Sequence, residues 1–459
     1  MYSKKIFNLC LILFLSITLV GFGCKGLSQQ EAAAVRPITL NYWTVYNDVD
    51  ELKKIAEEYQ VERPHVKVAI KQVRYEEFEN LFVNALADDV GPDIVSIHTR
   101  WLKNYIERLQ PMPKEVRVSK MVVQGNISKD NVVLEETNLM PTARAIKSNF
   151  VGTVENDAII NDNIYGIPLA LDTLAIYYNK TLLDKAGIPE PPQDWAEFLK
   201  AVEQTTKFNS AGEIIQSGVA LGTGKNIDNA PDILALLLLQ NGVDLTRDGV
   251  VTFASGIGKA DTSSPTLEAL KFYTDFARPT KEAYSWNESM ENALDAFARG
   301  KSVFYFGFAY DLPRIKTLSP QMELEVIPVP QLNEQAPVNV ANYWIESVVK
   351  KTKHSDDAWD FVRFLTNAEN IASYTKATNR PTPLRSQIND QKDDILLAPF
   401  VNSVLNAKNW YNGRNVDKAV EAIDQMISDY LRPYGEDIDG FQRDTGIVMQ
   451  AAKLIQQTM

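Results

Sequence analysis

The chain has 459 residues, 45% of them hydrophobic and 23% charged, and a formal net charge of -12. This composition excludes a disordered chain, and at about 100–200 residues per domain the length predicts two or three lobes. The acidic balance excludes a nucleic-acid-binding surface, which needs a basic stripe.

The first element is a targeting segment over residues 1–23. Lys4 and Lys5 precede an apolar run from Ile6 to Val20, and Gly21, Phe22, Gly23 and Cys24 follow it. Cys24 behind the small Gly23 resembles the lipobox of bacterial lipoproteins, in which the thiol is acylated and becomes the new N-terminus. Gly21 stands where that motif usually has Leu. An uncleaved anchor helix is the alternative, since about 18 apolar residues can just span a bilayer. Either reading tethers the body outside the cytoplasm, with residues 24–37 as the lipidated cysteine and a flexible tether. Removing residues 1–23 deletes two lysines and takes the net charge to -14. The only other cysteine is Cys10, inside the apolar run, so the body has no thiol for nucleophilic work.

The body begins near Ile38. ITLNYWTVYNDVDELKKIAEEY starts as a strand and turns into a helix, with Val49, Leu52, Ala56 and Tyr59 on one face and Asp48 or Asn47 as N-cap. Val66, Val68 and Ile70 alternate as a second strand, and Phe78, Leu81, Phe82, Ala85 and Leu86 form a helical stripe. GPDIVSIH is a third strand, after which Trp101, Leu102, Tyr105, Ile106 and Leu109 make another helix face. This alternation predicts a parallel, helix-covered sheet, whose ligands sit beyond the carboxyl ends of the strands. Those ends carry Trp43 and Tyr46 after the first strand, and His98 and Arg100 after the third.

From about Lys114 to Asn163 the pattern is lost, which predicts an irregular, polar insertion at the surface. The run IYGIPLALDTLAIYYNK, Ile164 to Lys180, then returns as a strand that is apolar on both faces yet carries Asp172 at its centre. Helix faces follow at Trp195, Phe198, Leu199 and Val202, at Leu267, Leu270, Tyr273 and Ala277, and at Met290, Ala293, Leu294 and Phe297. KSVFYFGFAY and LEVIPVP read as strands, NYWIESVVKKTKHSDDAWDFVRFLT as strand, turn and helix, and the remainder as largely helical. His65, His98 and His354 show no metal-ligand spacing, and no GxSxG, HExxH or phosphate-cradling glycine loop is present. No cofactor is therefore expected.

Six segments in one order carry a family resemblance: LNYWT, GPDIVSI, IYGIPLALDTLAIYYNKTLLDKAGIPEPPQDWAEF, ALDAFARGKSVFYFG, VIPVPQ and NYWIESVVKKTKHSDDAWDFVRFLT. Together the chain from Ile38 onward resembles the extracellular solute-binding proteins of ABC importers, in their maltose-binding-like, sugar-binding group. The resemblance implies an α/β fold of two lobes, each a helix-covered and mainly parallel sheet, joined by a hinge that the chain crosses more than once. Lobe one would take residues 38–171 and 322–367, and lobe two 172–321 and 368–459. It further implies a monomeric receptor without enzymatic activity, delivering a carbohydrate to permease subunits and their ATPase.

On this resemblance Asp172 lies in the cleft, where a carboxylate can accept hydrogen bonds from sugar hydroxyls; a salt bridge within the hinge is the other reading. Sugars also present flat C–H faces, so Trp43, Trp344 and Phe308 at strand ends are stacking candidates. Tyr46, Tyr178, Trp286 and Tyr310 are further aromatic candidates, His98 closes the third strand, and Arg380 sits in the loop NRPTP where family members contact ligand. A rival reading is an anchored carbohydrate-active enzyme using a carboxylate pair such as Asp172 and Glu288. A third keeps the scaffold and changes the solute.

Overall fold

A computed structural model describes residues 27–459 except 125–129, 259–263 and 436. The expected signal peptide and Cys24 lie outside the described residues. Among those described, no helix is long and apolar enough to cross a membrane.

The first lobe is built on a five-stranded sheet in the order Val66–Gln72, Ile38–Thr44, Ile94–His98, Trp344–Val349, Leu109–Gln110. The helix Val49–Glu62 returns the chain between the first two strands. Asp48 caps it by accepting the N–H groups of Asp50 and Glu51 at 3.0 Å, and it buries Leu52, Ile55, Ala56 and Tyr59. The helix Tyr75–Ala87 does the same between the second and third, burying Phe78, Phe82 and Leu86. These crossovers make the first three strands parallel, as the alternation predicts. The return strand Trp344–Val349 runs antiparallel to both its neighbours.

The second lobe's sheet, in the order Lys207–Phe208, Ile214–Val219, Ser302–Gly307, Ala175–Asn179, Leu324–Pro328, departs from the expectation of mainly parallel pairing. Only Ile214–Val219 and Ser302–Gly307 pair in parallel, and the other pairs are antiparallel. That parallel pair is joined through the helices Ala230–Gln240, Pro265–Asp275 and Ala293–Ala298, whereas Lys207–Phe208 and Ile214–Val219 are neighbours in sequence and pair as a short antiparallel hairpin.

Between the lobes lies a small hinge sheet, Ala407–Lys408, Asn339–Asn342 and Asp172–Thr173. From Thr173 the chain passes through Leu174 straight into the second-lobe strand Ala175–Asn179. From Asn342 it passes through Tyr343 into the first-lobe strand Trp344–Val349. Asn339 clamps the first crossing, its amide bonding both the N–H (3.1 Å) and the C=O (2.9 Å) of Leu174. Gly166, in the run leading to the hinge, lies where a Cβ would come within 2.9 Å of the Glu346 carbonyl oxygen, so only glycine lets the two backbones meet.

Four expectations are corrected. The stretch after Trp101 is two 3₁₀ turns around the short helix Leu102–Tyr105, ending in the strand Leu109–Gln110, although its apolar face is buried as foreseen. The region 114–163 is not irregular: Glu115–Gln124 and Asp130–Leu139 form a long antiparallel hairpin, followed by the helices Ala143–Asn149 and Gly152–Ala158. Its base is held to the first lobe by polar anchors, Glu136 on Arg63 (2.7 Å) and Asn138 on Asp360 (2.7 Å). Leu324–Pro328, placed in the return to lobe one, pairs with Ala175–Asn179 in the second sheet. Ala368–Thr378, placed in lobe two, packs on Val49–Glu62 of lobe one, with the Asp48 N–H donating to the Tyr374 hydroxyl at 2.9 Å.

Candidate functional site

The lobes meet over a cluster of aromatic rings at the strand ends. From the first lobe come Tyr46, Tyr75, His98, Trp101 and Trp344, and from the second Phe308 and Tyr310. Tyr46 is 54% exposed and Tyr310 36%. Their rings stack across the lobe boundary, 6.3 Å between centroids and 21° between planes. Trp344 meets Tyr46 at 5.6 Å and stands edge-on to His98 and Trp101, each at 5.2 Å. Phe308 is fully buried and stacks behind Tyr310 at 5.3 Å.

Each ring is positioned by the fold beneath it. Tyr46 sits on the turn after strand Ile38–Thr44, and that turn is pinned by a buried polar network. Glu346 receives Asn47 Nδ2 (2.7 Å), the Tyr42 hydroxyl (2.5 Å) and the Ser96 hydroxyl (2.6 Å). Burial pushes the Glu346 carboxyl up, and these donors oppose that shift. Tyr310 sits on the turn after strand Ser302–Gly307, where Asp311 Oδ2 accepts the Phe308 N–H (3.1 Å) and the Tyr305 hydroxyl (3.2 Å). Trp344 and His98 face each other as Cα partners in the sheet.

His98 is buried, and burial together with the nearby Arg100 guanidinium holds its pKa down at about 3. Its Nδ1 accepts the Arg100 N–H (3.2 Å), so the ring proton is on Nε2 and is donated to Asn342 Oδ1 at 2.9 Å. His98 is therefore a neutral wall of the site.

Both cations are spent on aspartates. Arg380, delivered by a turn with Asn379 in the left-handed region (φ 50), binds Asp172 through Nε at 3.0 Å and also through Nη2. Its guanidinium lies 5.9 Å from the Tyr310 ring centre. Asp172 thus takes the hinge salt-bridge reading, fully buried between the lobes. Arg100 reaches across to Asp232 at 2.5 Å, in the first turn of the helix Ala230–Gln240, and also bonds Ala341 O (3.0 Å) and Asn409 Oδ1 (3.2 Å). Trp410 Nε1 donates to the same Asp232 oxygen at 2.8 Å and stacks beneath the guanidinium at 4.7 Å. Tyr75 adds a further inter-lobe bond, its hydroxyl to Asp417 at 3.0 Å.

Three aromatic candidates lie elsewhere. Trp43 is inside its strand rather than beyond it, 8% exposed with Lys71 Nζ 4.4 Å over its ring, and pairs with none of the cluster rings. Tyr178 lies four residues past the hinge crossing, with its hydroxyl on Glu325 of the neighbouring strand. Trp286 is 0% exposed inside lobe two, its backbone N–H bonded to Phe276 O at 3.1 Å. The carboxylate pair of the enzymatic reading is not assembled: Asp172 is held by Arg380, and Glu288 is exposed and accepts from Ser428 at 3.4 Å. Among the described residues, no group of three or more His, Cys, Asp or Glu is placed to hold a metal ion.

Tyr75, Trp101, Asp232 and Trp410 were not singled out by sequence. Tyr75 follows the carboxyl end of the second strand, so the strand-end rule that selected Tyr46 would also have selected it. Asp232 and Trp410 reach the site only through long-range packing, and local pattern carries no signal for them.

Residues 54–398 match the family described as bacterial extracellular solute-binding protein. The chain is 23% identical over 402 residues to the multiple sugar-binding protein of Streptococcus mutans, covering 86% of each. Among solved structures it resembles the sugar-binding protein MalE of Xanthomonas citri, with TM-score 0.68, 16% identity, and coverage of 92% of this chain and 98% of that one. It also resembles the cyclic alpha-maltosyl-1,6-maltose binding protein of Arthrobacter globiformis, with TM-score 0.67, 16% identity, and coverage of 92% and 99%. With two α/β lobes closing on a hinge sheet, and three quarters of its length inside the family match, the chain belongs to the bacterial extracellular solute-binding proteins.

Proposed function

We propose that the protein is an extracytoplasmic receptor that takes a neutral carbohydrate between its lobes and delivers it to an ABC permease and its ATPase. The observation that carries this reading is the pair of exposed rings, Tyr46 and Tyr310, facing each other from opposite lobes while Arg100 and Arg380 are both neutralised. Aromatic planes suit the C–H faces of sugar rings, and a cleft whose cations are already paired offers little to an anionic solute. The names of the similar proteins, which bind sugars, support the same chemistry.

The receptor acts as a monomer, anchored at the cell membrane through acylated Cys24. In wild type a labelled acyl chain should partition with the protein into detergent, and Cys24→Ser should abolish the label. Recovery of wild type in the soluble fraction with an unmodified Cys24 would remove the anchor.

Ligand identity is tested by thermal shift against a panel of glycans and of anionic solutes, followed by analysis of the recovered ligand. A glycan at one hundred times its dissociation constant should add about 2.7 kcal/mol of stability, and it should be recovered unchanged. Stabilisation by anions and by no glycan would overturn the carbohydrate reading. New reducing ends would restore the enzymatic one.

A further inference from the structure

One flank of the cleft is sewn shut by polar bonds between the turn after the third strand and a segment of the second lobe. Asn409 Oδ1 accepts Arg100 Nε at 3.2 Å, and its Nδ2 donates to Thr99 Oγ1 at 3.5 Å. Lys103 Nζ donates to the Asn412 carbonyl at 2.7 Å, and the Tyr75 hydroxyl donates to Asp417 at 3.0 Å. The segment 409–415 is a strap between the hinge strand Ala407–Lys408 and the helix Val416–Leu431.

The second lobe holds this strap rigidly. Trp410 Nε1 donates to Asp232 at 2.8 Å. Tyr411 is fully buried, its hydroxyl donating to Thr458 Oγ1 at 2.8 Å and accepting the Asn415 N–H at 2.9 Å. The Arg414 N–H donates to the Thr458 carbonyl at 2.6 Å. Gly413 lies where a Cβ would strike the Tyr411 hydroxyl, so the strap passes this point only as glycine.

The aromatic row runs into the strap. From Tyr310 and Tyr46 it continues to Tyr75, 6.2 Å from Tyr46, and to Trp101, 4.9 Å from Tyr75. Trp101 is covered by Tyr75 and by the buried Phe78, which stacks on it at 5.1 Å. The space left between Tyr75, Trp101, Arg414 and Asp417 is about 120 Å³, well below the roughly 300 Å³ at which small-molecule pockets begin. At the other end of the row Tyr46 and Tyr310 are exposed. The cleft is thus open at one end and blind at the other.

We propose that the strap makes this receptor a binder of saccharide ends: the terminal unit of the ligand is seated towards the strap, and the rest of the chain leaves past Tyr46 and Tyr310. The proposal rests on the carbohydrate reading above and extends it from ligand class to the part of the ligand that is recognised. A blind end discriminates by exclusion, since a chain continuing through the strap would have to break the seam bonds. Chain interiors, cyclic saccharides and saccharides capped at the inward terminus are refused.

The test measures dissociation constants of the mature protein by calorimetry for disaccharides of α-glucan, β-mannan and arabinan. Each is offered uncapped, as an aryl glycoside at the reducing end, and with a bulky ether on the non-reducing unit. In a series that binds, one capped form should bind within a few-fold of the uncapped disaccharide and the other at least about tenfold more weakly. The double variant Arg414→Ala/Asp417→Ala removes two exposed side chains from the blind end and should bring the two capped forms closer together. Equal binding of both capped forms by wild type, refusal of both, or an unchanged difference in the double variant would overturn end recognition by the strap while leaving the inter-lobe carbohydrate site standing. Failure of every uncapped disaccharide to bind would overturn both.

Discussion

Arg380 and Arg100 invite comparison, because each is nearly buried, each holds an aspartate and each lies against an aromatic ring. They differ in what their bonds join. Arg380 and Asp172 both belong to the hinge, where neighbouring backbone bonds such as Leu171 N–H to Pro381 O at 3.0 Å hold the two segments together whatever the lobes do. Arg100 belongs to the first lobe and Asp232 to the second, so their bond must break when the lobes part. The same pair of side chains is thus a structural strut in one place and a closure contact in the other. Its free energy should appear in folding at the hinge and in conformation at the cleft.

The largest expected effect tests the strut. Arg380→Ala leaves Asp172 buried without its cation and should cost about 3–5 kcal/mol of unfolding free energy. Chemical denaturation measures this directly, and a loss below 1 kcal/mol would mean that water or another donor readily replaces the arginine. The second variant, Arg100→Ala, should act on the other equilibrium. It should disfavour the closed state by about 2–3 kcal/mol, visible in small-angle scattering as a larger radius of gyration, with a smaller change in the denaturation midpoint. If its melting falls as far as that of Arg380→Ala, the distinction between strut and closure contact fails.

A tryptophan pair sharpens the comparison at the level of ligand. Trp344→Ala should cost about 2 kcal/mol of carbohydrate affinity, as aromatic anchors at desolvated centres do, whereas Trp43→Ala should act on stability and leave affinity nearly untouched. Equal losses of affinity would return Trp43 to the site.

The last variant concerns Asp311, beneath the Tyr310 turn. Burial pushes its carboxyl up to about 7, Asp172 and Asp228 add to the shift, and the bonds from Phe308 and Tyr305 oppose it. An unfolded aspartate titrates near about 3.9. Between these values the native state holds the extra proton, so this group's contribution is complete below about pH 4 and is lost as pH rises through about 7. Asp311→Asn should flatten that part of the stability curve, removing the loss between about pH 4 and 7. An unaltered slope between pH 5 and 8 would show that Asp311 stays ionised in the fold.

What could be read from sequence follows from which forces leave a local trace. The strands and helices from Ile38 to His98 were legible because each buries one apolar face at a regular spacing. The hairpin Glu115–Gln124 with Asp130–Leu139 was not, because its alternating buried residues, among those described, are only Val116 and Val118 at the base, too short a pattern to stand out, and the rest of its anchoring comes from Arg63, Glu136, Asn138 and Asp360, polar residues whose partnership has no period. The strand-end rule found Tyr46, His98 and Trp344, and with them the middle of the cluster. It also picked Trp43, which the structure places inside its strand and apart from the cluster rings, and resemblance alone could not separate Trp286, buried inside lobe two, from a residue facing the cleft. Asp172 stood out as a carboxylate in an apolar run, but its partner lies 208 residues away, a distance that no local pattern spans.

The hinge sheet carries one more consequence. Two of its three strands run almost without interruption into the main sheets, Asp172–Thr173 through Leu174 into the second lobe's and Asn339–Asn342 through Tyr343 into the first's. A hydrogen-bonded ladder resists sliding of one strand past the next but yields to torsion about its own length. The two lobes should therefore open as blades on a torsion bar, turning about the hinge strands without breaking the ladder. The elastic restoring torque would then be stored in the backbone, while the side chains at the rim act as the catch.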